Sequence, residues 1–283
     1  MRPQFTDRCT FGLASMQSPE SARQPLMDYV HWLGERAEVK VSTRFLDSYA
    51  NLAAAVRDGT VDVAWLPPVV YVALERRQAV AAMVSNHRAG QAAFHGALLV
   101  HAGAHVHTLD GIRGSRVAWV DPCSASGYVM PRLQLAALGI DPRKSFSSES
   151  FFGSHDGVVR AVAEGDADVG ATFARVDGAG NVTSGSWSQI PEVRGYVRVL
   201  WTLGAIPSDV IAARAGYPSA VRDRLADAFV ASTNEARTAP LARRLFGVEE
   251  FRRGHMKSYA SLRRAIEKGS DSALIDALPL ESL

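Results

Sequence analysis

Apolar and polar positions along this chain change period repeatedly, and the changes mark elements. Phe11 to Ser15 has strand character, and Pro19 to Leu33 takes up a helical period with Pro25 as a kink or late start. Val39 to Phe45 returns to a strand pattern. There follows SYANLAAAVRDGTVDVAW, Ser48 to Trp65: a serine suited to capping opens an apolar-periodic helix, Gly59 stops it, and a short strand carrying Asp62 follows. The pattern recurs 106 positions further on, Ser154 against Ser48, as SHDGVVRAVAEGDADVGA with Gly165 as the stop and Asp168 in the strand. A strand-like stretch, Ser150 to Phe152, precedes the second copy as Val39 to Phe45 precedes the first. The copies are too widely spaced for a solenoid, whose units of about 20 to 50 residues stack directly. They read instead as βαβ crossovers in two α/β lobes.

The flanking segments set the organisation. Leu98 to His101 and Tyr196 to Thr202 are apolar runs able to carry the chain into and out of a second lobe. Between them, Arg116 to Val120 predicts a buried strand, and Cys123 to Leu138 a loop entering a helix stopped by Gly139. Beyond lie a strand at Val210 to Ala213, an amphipathic helix over Pro218 to Thr233, and helical segments near Leu241 and over Tyr259 to Lys268. Lobe one is expected at 1–98 and 202–283, with lobe two inserted at 99–201 and two strands as the hinge.

Composition narrows the function. The 283 residues are 47% hydrophobic and 21% charged, as for globular lobes with proper cores. The formal net charge of +2, from 31 basic and 29 acidic residues, carries no polycation signature, so no nucleic-acid partner is expected. Ala92 to Val100 and Val197 to Leu203 fall well short of the about 20 apolar residues that span a bilayer. Met1 to Thr10 has no apolar leader segment, so the expected location is cytoplasmic as given, or periplasmic if a leader has been removed. Cys9 and Cys123 suit neither a disulfide framework nor a metal site, and no metal or cofactor is implied.

In open α/β sheets ligands collect beyond the carboxyl ends of strands, where helix N-termini present unpaired N–H groups and the positive end of a dipole. That geometry selects anions. Asp47 to Tyr49, Cys123 to Gly127 and Gly153 to Asp156 each offer such a terminus. In the Ser124-Ala125-Ser126-Gly127 loop, two hydroxyls and several N–H groups surround an oxyanion, or Ser124 is an ordinary cap. His155 is a donor to an anion or a surface histidine. Tyr49 takes the matching place in the first copy. Tyr71 points into a cleft or packs in lobe one; Asp156 accepts from a ligand amine or caps its helix. Asp62 and Asp168 read as structural. Cys123 lies beside a helix N-terminus with no dedicated base and reads as a bystander thiol. His101, His105 and His107 read as a solvated loop.

The stretches RVAWVDPCSASGYVMPRLQLAALGIDP and FFGSHDGVVRAVAEGDADVGA, with DGTVDVAWLPPVVYVAL and IPSDVIAARAGYP, resemble the phosphate/phosphonate-binding proteins of ABC importers from about Phe11 to Tyr259. The resemblance implies a type II periplasmic-binding-protein fold whose lobes close on phosphonate, phosphate or phosphite. It implies Ser124, Ser126 and His155 on the anionic oxygens, Tyr49 from the other lobe, and an ABC permease as partner of an exported monomer. Three departures stand out. Ala125 replaces the middle Thr of a Ser-Thr-Ser loop. Arg175 stands where aminophosphonate binders carry acidic residues, and so favours a carboxylate or second anionic group. Phe94-His95 stands where a Tyr is common. With no nucleophile–base pair in the candidate site, binding without turnover is the expectation. The alternatives are a cytoplasmic enzyme on the same fold acting on a small carboxylate, similar to the chorismate-dehydratase group, and a cytoplasmic ligand sensor.

Overall fold

The computed structural model describes residues 6–14, 22–88, 90, 93–254 and 259–268. In chain order these form β1 (Arg8–Ala14), α1 (Arg23–Ala37), β2 (Lys40–Leu46), α2 (Tyr49–Arg57), β3 (Val63–Leu66), α3 (Pro68–Arg76), β4 (Val80–His87) and β5 (Ala93–His101). Then come β6 (Arg116–Trp119), α4 (Met130–Ala137), α5 (Pro142–Ser145), β7 (Ser148–Phe151), α6 (His155–Glu164), β8 (Val169–Val176), β9 (Val182–Gly185) and β10 (Val197–Pro207). The chain ends with β11 (Val210–Arg214), α7 (Ser219–Ser232), α8 (Ala239–Phe246), β12 (Glu250–Arg253) and α9 (Tyr259–Lys268). It divides into two compact units. Among the described residues, one runs to Ala93 and resumes over Pro207–Arg263; the other comprises Phe94–Ile206 and resumes at Arg264.

The first unit is a sheet ordered β12-β4-β11-β3-β1-β2, the second a sheet ordered β10-β5-β8-β6-β7 with β9 beside β8. Each contains a parallel trio, β3-β1-β2 or β8-β6-β7, and the trios share one register. Phe11 pairs with Val63 and Gly12 with Ala64; 106 positions on, Val117 pairs with Val169 and Ala118 with Gly170. The sequence echo is therefore a structural repeat. Ser48 and Ser154 cap their helices by accepting from the N–H of Asn51 and Gly157 at 3.1 and 3.0 Å. Gly59 and Gly165 follow at φ +72° and +84°, which a side chain disfavours. Asp62 and Asp168 accept from the N–H of Thr10 and Arg116, at 2.9 and 2.8 Å, and so tie each β3-type strand to the start of the trio's central strand.

Packing follows the two-residue alternation of strands. In the second unit Val117 and Trp119 join Leu135 and Ile140 on one face of the sheet, while Ala118 and Val120 meet Val158, Val159 and Val162 of α6 on the other. Both faces are covered, as the parallel strands at its centre require. In the first unit Phe11, Trp65 and Ile211 pack with Tyr29, Phe229 and Phe246 of α1, α7 and α8. The structure also assigns segments that the sequence reading left open. The apolar run after Trp65 enters a helix, because Pro67 is extended and Pro68 occupies the first turn, where a missing N–H costs nothing. β4, β9 and β12 were not anticipated. The expected helix is α1, described from Arg23, and its expected start at Pro19 falls in residues 15–21, outside the described residues.

Candidate functional site

Three segments of the second unit meet because β7, β6 and β8 are adjacent. β6 pairs in parallel with both neighbours, with Trp119 beside Phe151 and Ala118 beside Gly170. The turn after β6, the turn after β7 and the middle of β8 therefore share one end of the sheet. The Phe152 and Gly153 N–H groups donate to the Trp119 and Val120 carbonyls at 2.8 and 2.9 Å, and this fastens the two turns together.

The turn after β6 winds as one π-helical turn, Ala125–Val129, before α4 begins. Ser124 is its cap: its Oγ accepts from the Gly127 N–H at 3.1 Å, and its carbonyl from the Val129 N–H at 2.9 Å. Ser126, 2% exposed, makes no side-chain hydrogen bond among the described residues, so its hydroxyl is uncommitted where that of Ser124 is engaged. Ala125 adds no hydroxyl. A Cβ on Gly127 would lie 2.3 Å from Val120 Cγ2 and 2.6 Å from Val120 Cβ, so only glycine fits. Behind the turn, the Tyr128 ring lies 5.1 Å from the Arg132 guanidinium and 5.0 Å from the Phe151 ring. Arg132, buried, pairs with Glu149, which also accepts from Trp119 Nε1 at 2.7 Å.

The turn after β7 places His155 at the first position of α6, partly buried. Its Nδ1 lies 2.8 Å from Thr172 Oγ1 on β8, and Thr172 Oγ1 lies 2.7 Å from Ser186 Oγ. The Phe173 ring meets the imidazole edge-on at 5.0 Å. Burial lowers the His155 pKa to about 4, so the ring is neutral near pH 7. Helix N-termini and hydroxyls supply attraction for an anion here.

The other expected residues are placed as follows. Asp156 is exposed in the first turn of α6, where the helix dipole favours a carboxylate. Arg175 is exposed near the end of β8, beside Ser184 of β9 and two residues from Phe173 on the same face. Tyr49 begins α2 in the first unit, half-buried after its Ser48 cap. Tyr71, 2% exposed, donates to Glu75 Oε1 at 2.6 Å and packs edge-on against Tyr259 at 5.0 Å. Cys123 is a free, buried thiol whose pKa is pushed up by burial and by Asp121. Among the described residues no cluster of His, Cys, Asp or Glu could hold a metal. Sequence reasoning did not single out Thr172 or Ser186. The one available signal was a hydroxyl inside the apolar run Val169 to Ala174; nothing local marks Ser186.

The fold and this arrangement of capped helix starts define a type II periplasmic-binding architecture. The family described as "ABC transporter, phosphonate, periplasmic substrate-binding protein" matches residues 11–259, and the chain belongs to it. It is similar to the phosphate-import protein PhnD of Mycolicibacterium smegmatis, 23% identical over 241 residues that cover 81% of this chain and 73% of that one. Among solved structures it superposes on the binding component of an ABC phosphonate transporter from Pseudomonas aeruginosa with a TM-score of 0.77, at 20% identity, covering 92% and 85% of the two chains. It also superposes on PhnD1 of Prochlorococcus marinus in complex with methylphosphonate, with a TM-score of 0.75 at 16% identity over 93% and 98%. No helix among the described residues is long and apolar enough to cross a membrane.

Proposed function

We propose that this protein is the capture component of an ABC importer for a small tetrahedral oxyanion of the phosphonate, phosphate or phosphite class, delivered to a cognate permease. The observation that carries the reading is the paired helix starts after β6 and β7, where the uncommitted Ser126 hydroxyl and a neutral His155 stand at one end of the sheet. Such a site recognises an anion by hydrogen bonds rather than by a counter-charge. Arg175 favours ligands carrying a second anionic group. Binding without turnover fits a thiol at Cys123 that burial keeps protonated.

A thermal-shift screen against phosphate, phosphite, sulfate, methylphosphonate, aminoethylphosphonate and dicarboxylates tests this, followed by mass spectrometry of the stabilising compound. A ligand at 100 times its Kd adds about 2.7 kcal/mol, which a melting curve resolves. Stabilisation by a phosphonate or phosphate that is recovered intact is the expected result. Response to carboxylates alone, or conversion of the compound, overturns it.

A further inference from the structure

The chain of groups behind His155 determines where the imidazole proton resides. Thr172 is 0% and Ser186 1% exposed, so water does not compete for their hydroxyls. Thr172 Oγ1 lies between His155 Nδ1 and Ser186 Oγ, and among the described residues Ser186 Oγ makes no other hydrogen bond. Two directions of donation are conceivable. If Nδ1–H donated to Thr172, then Thr172 would donate to Ser186, and the Ser186 proton would be buried with no acceptor. The same fault arises for the doubly protonated ring. If Ser186 donates to Thr172 and Thr172 donates to Nδ1, every proton in the chain has an acceptor. Buried donors are rarely left unpaired because losing water without a replacement is costly. The second direction requires the neutral ring with hydrogen on Nε2, the nitrogen that bonds nothing else among the described residues.

The scaffold supports this order. Thr172 lies on β8 beside Ala97 of β5, so its backbone is held by the sheet on which α6 packs. Ser186 follows Gly185, where a Cβ would come within 2.2 to 2.7 Å of the Trp187 ring; the indole folds back on the glycine and fixes the hydroxyl's approach.

Resting on the anion reading above, we propose that Thr172, steadied by Ser186, is a positioning residue that keeps His155 neutral with its proton on Nε2. The imidazole then meets a bound anion as an uncharged hydrogen-bond donor.

Long-range ¹H–¹⁵N correlation of the imidazoles in the full chain at pH 7, with His155 assigned through His155→Gln, tests the proposal before any ligand is added. The expected pattern is a protonated Nε2 and a bare Nδ1. Thr172→Val should mix the tautomers and weaken methylphosphonate binding at least tenfold; Thr172→Ser should restore both. Ser186→Ala should keep the tautomer, because the Thr172 proton still has Nδ1 as acceptor, with a smaller loss of affinity. A wild-type ring that is protonated on Nδ1 or cationic overturns the proposal, as does a Thr172→Val spectrum unchanged from the parent. If methylphosphonate binds but leaves the Nε2 proton unmoved, the donor role falls. If no oxyanion binds, the proposed function falls, and the ligand-free spectrum still decides the tautomer.

Discussion

Replacing Gly127 by alanine should both destabilise the second unit and remove its anion response, for one geometric reason. The added Cβ would stand 2.3 Å from Val120 Cγ2, 2.6 Å from Val120 Cβ and 2.8 Å from Ser124 Oγ. A rotamer change of Val120 relieves the first contact but not the second, since its Cβ is fixed by the backbone of a core residue. The turn itself must shift. Overpacking of this kind costs about 1–3 kcal/mol, and disturbing the Ser124 cap adds about 1 kcal/mol. At roughly 2–4 °C per kcal/mol, Tm should fall by roughly 4–16 °C. The shift also moves the Ser126 hydroxyl and the first-turn N–H groups, so the stabilisation by saturating methylphosphonate should largely vanish. Differential scanning calorimetry with and without ligand reads both effects. A variant that melts within a degree of the parent and keeps its ligand shift would refute the packing argument and the placement of the site together.

Four further outcomes are expected. Ser126→Ala should leave Tm nearly unchanged yet weaken oxyanion binding about 10- to 150-fold, the worth of one hydrogen bond to a charged group at about 1.5–3 kcal/mol, measured by isothermal titration calorimetry. Arg175→Ala should cost up to about fivefold for ligands with a second anionic group and little for methylphosphonate; equal loss for both would remove its selective role. Glu149→Gln should destabilise by about 3 kcal/mol by leaving the buried Arg132 guanidinium without its carboxylate, and Glu149→Gln with Arg132→Met should recover much of that; additive losses in urea unfolding would contradict the pairing. The folded-state pKa of His155, about 4 against an ordinary 6.5, means the unfolded chain binds the extra proton between those values. That contribution to stability is complete above pH 6.5 and falls as pH drops toward 4, so His155→Gln should flatten the stability–pH curve there; an unchanged slope would count against a buried neutral imidazole.

Much of the site could be read directly because its determinants are short-range. A serine cap accepts from an N–H three residues on, and a glycine stop depends on its own φ. Ser48, Ser154, Gly59 and Gly165 therefore announced both helices, and their 106-residue spacing announced the repeated trio of strands. Asp62 and Asp168, read as structural, act through partners 52 residues away at Thr10 and Arg116, which no local pattern marks. Tyr71 was undecided because a tyrosine after an apolar run has no local sign of whether its hydroxyl will find Glu75 one turn later or a ligand.

What the sequence determined by itself was the α/β character, the duplicated unit, the family resemblance and the helix starts that would face an anion. Tertiary structure decided the chemistry of those starts. His155, Thr172 and Ser186 are separated by 17 and 14 residues and meet only because α6 and the segment after β9 pack against β8. Arg132 and Glu149 pair only because α4 lies against the β6–β7 face. A proton's position and a buried charge's partner are set by groups brought together across strands, and strand order is a property of the whole sheet rather than of any local run of residues.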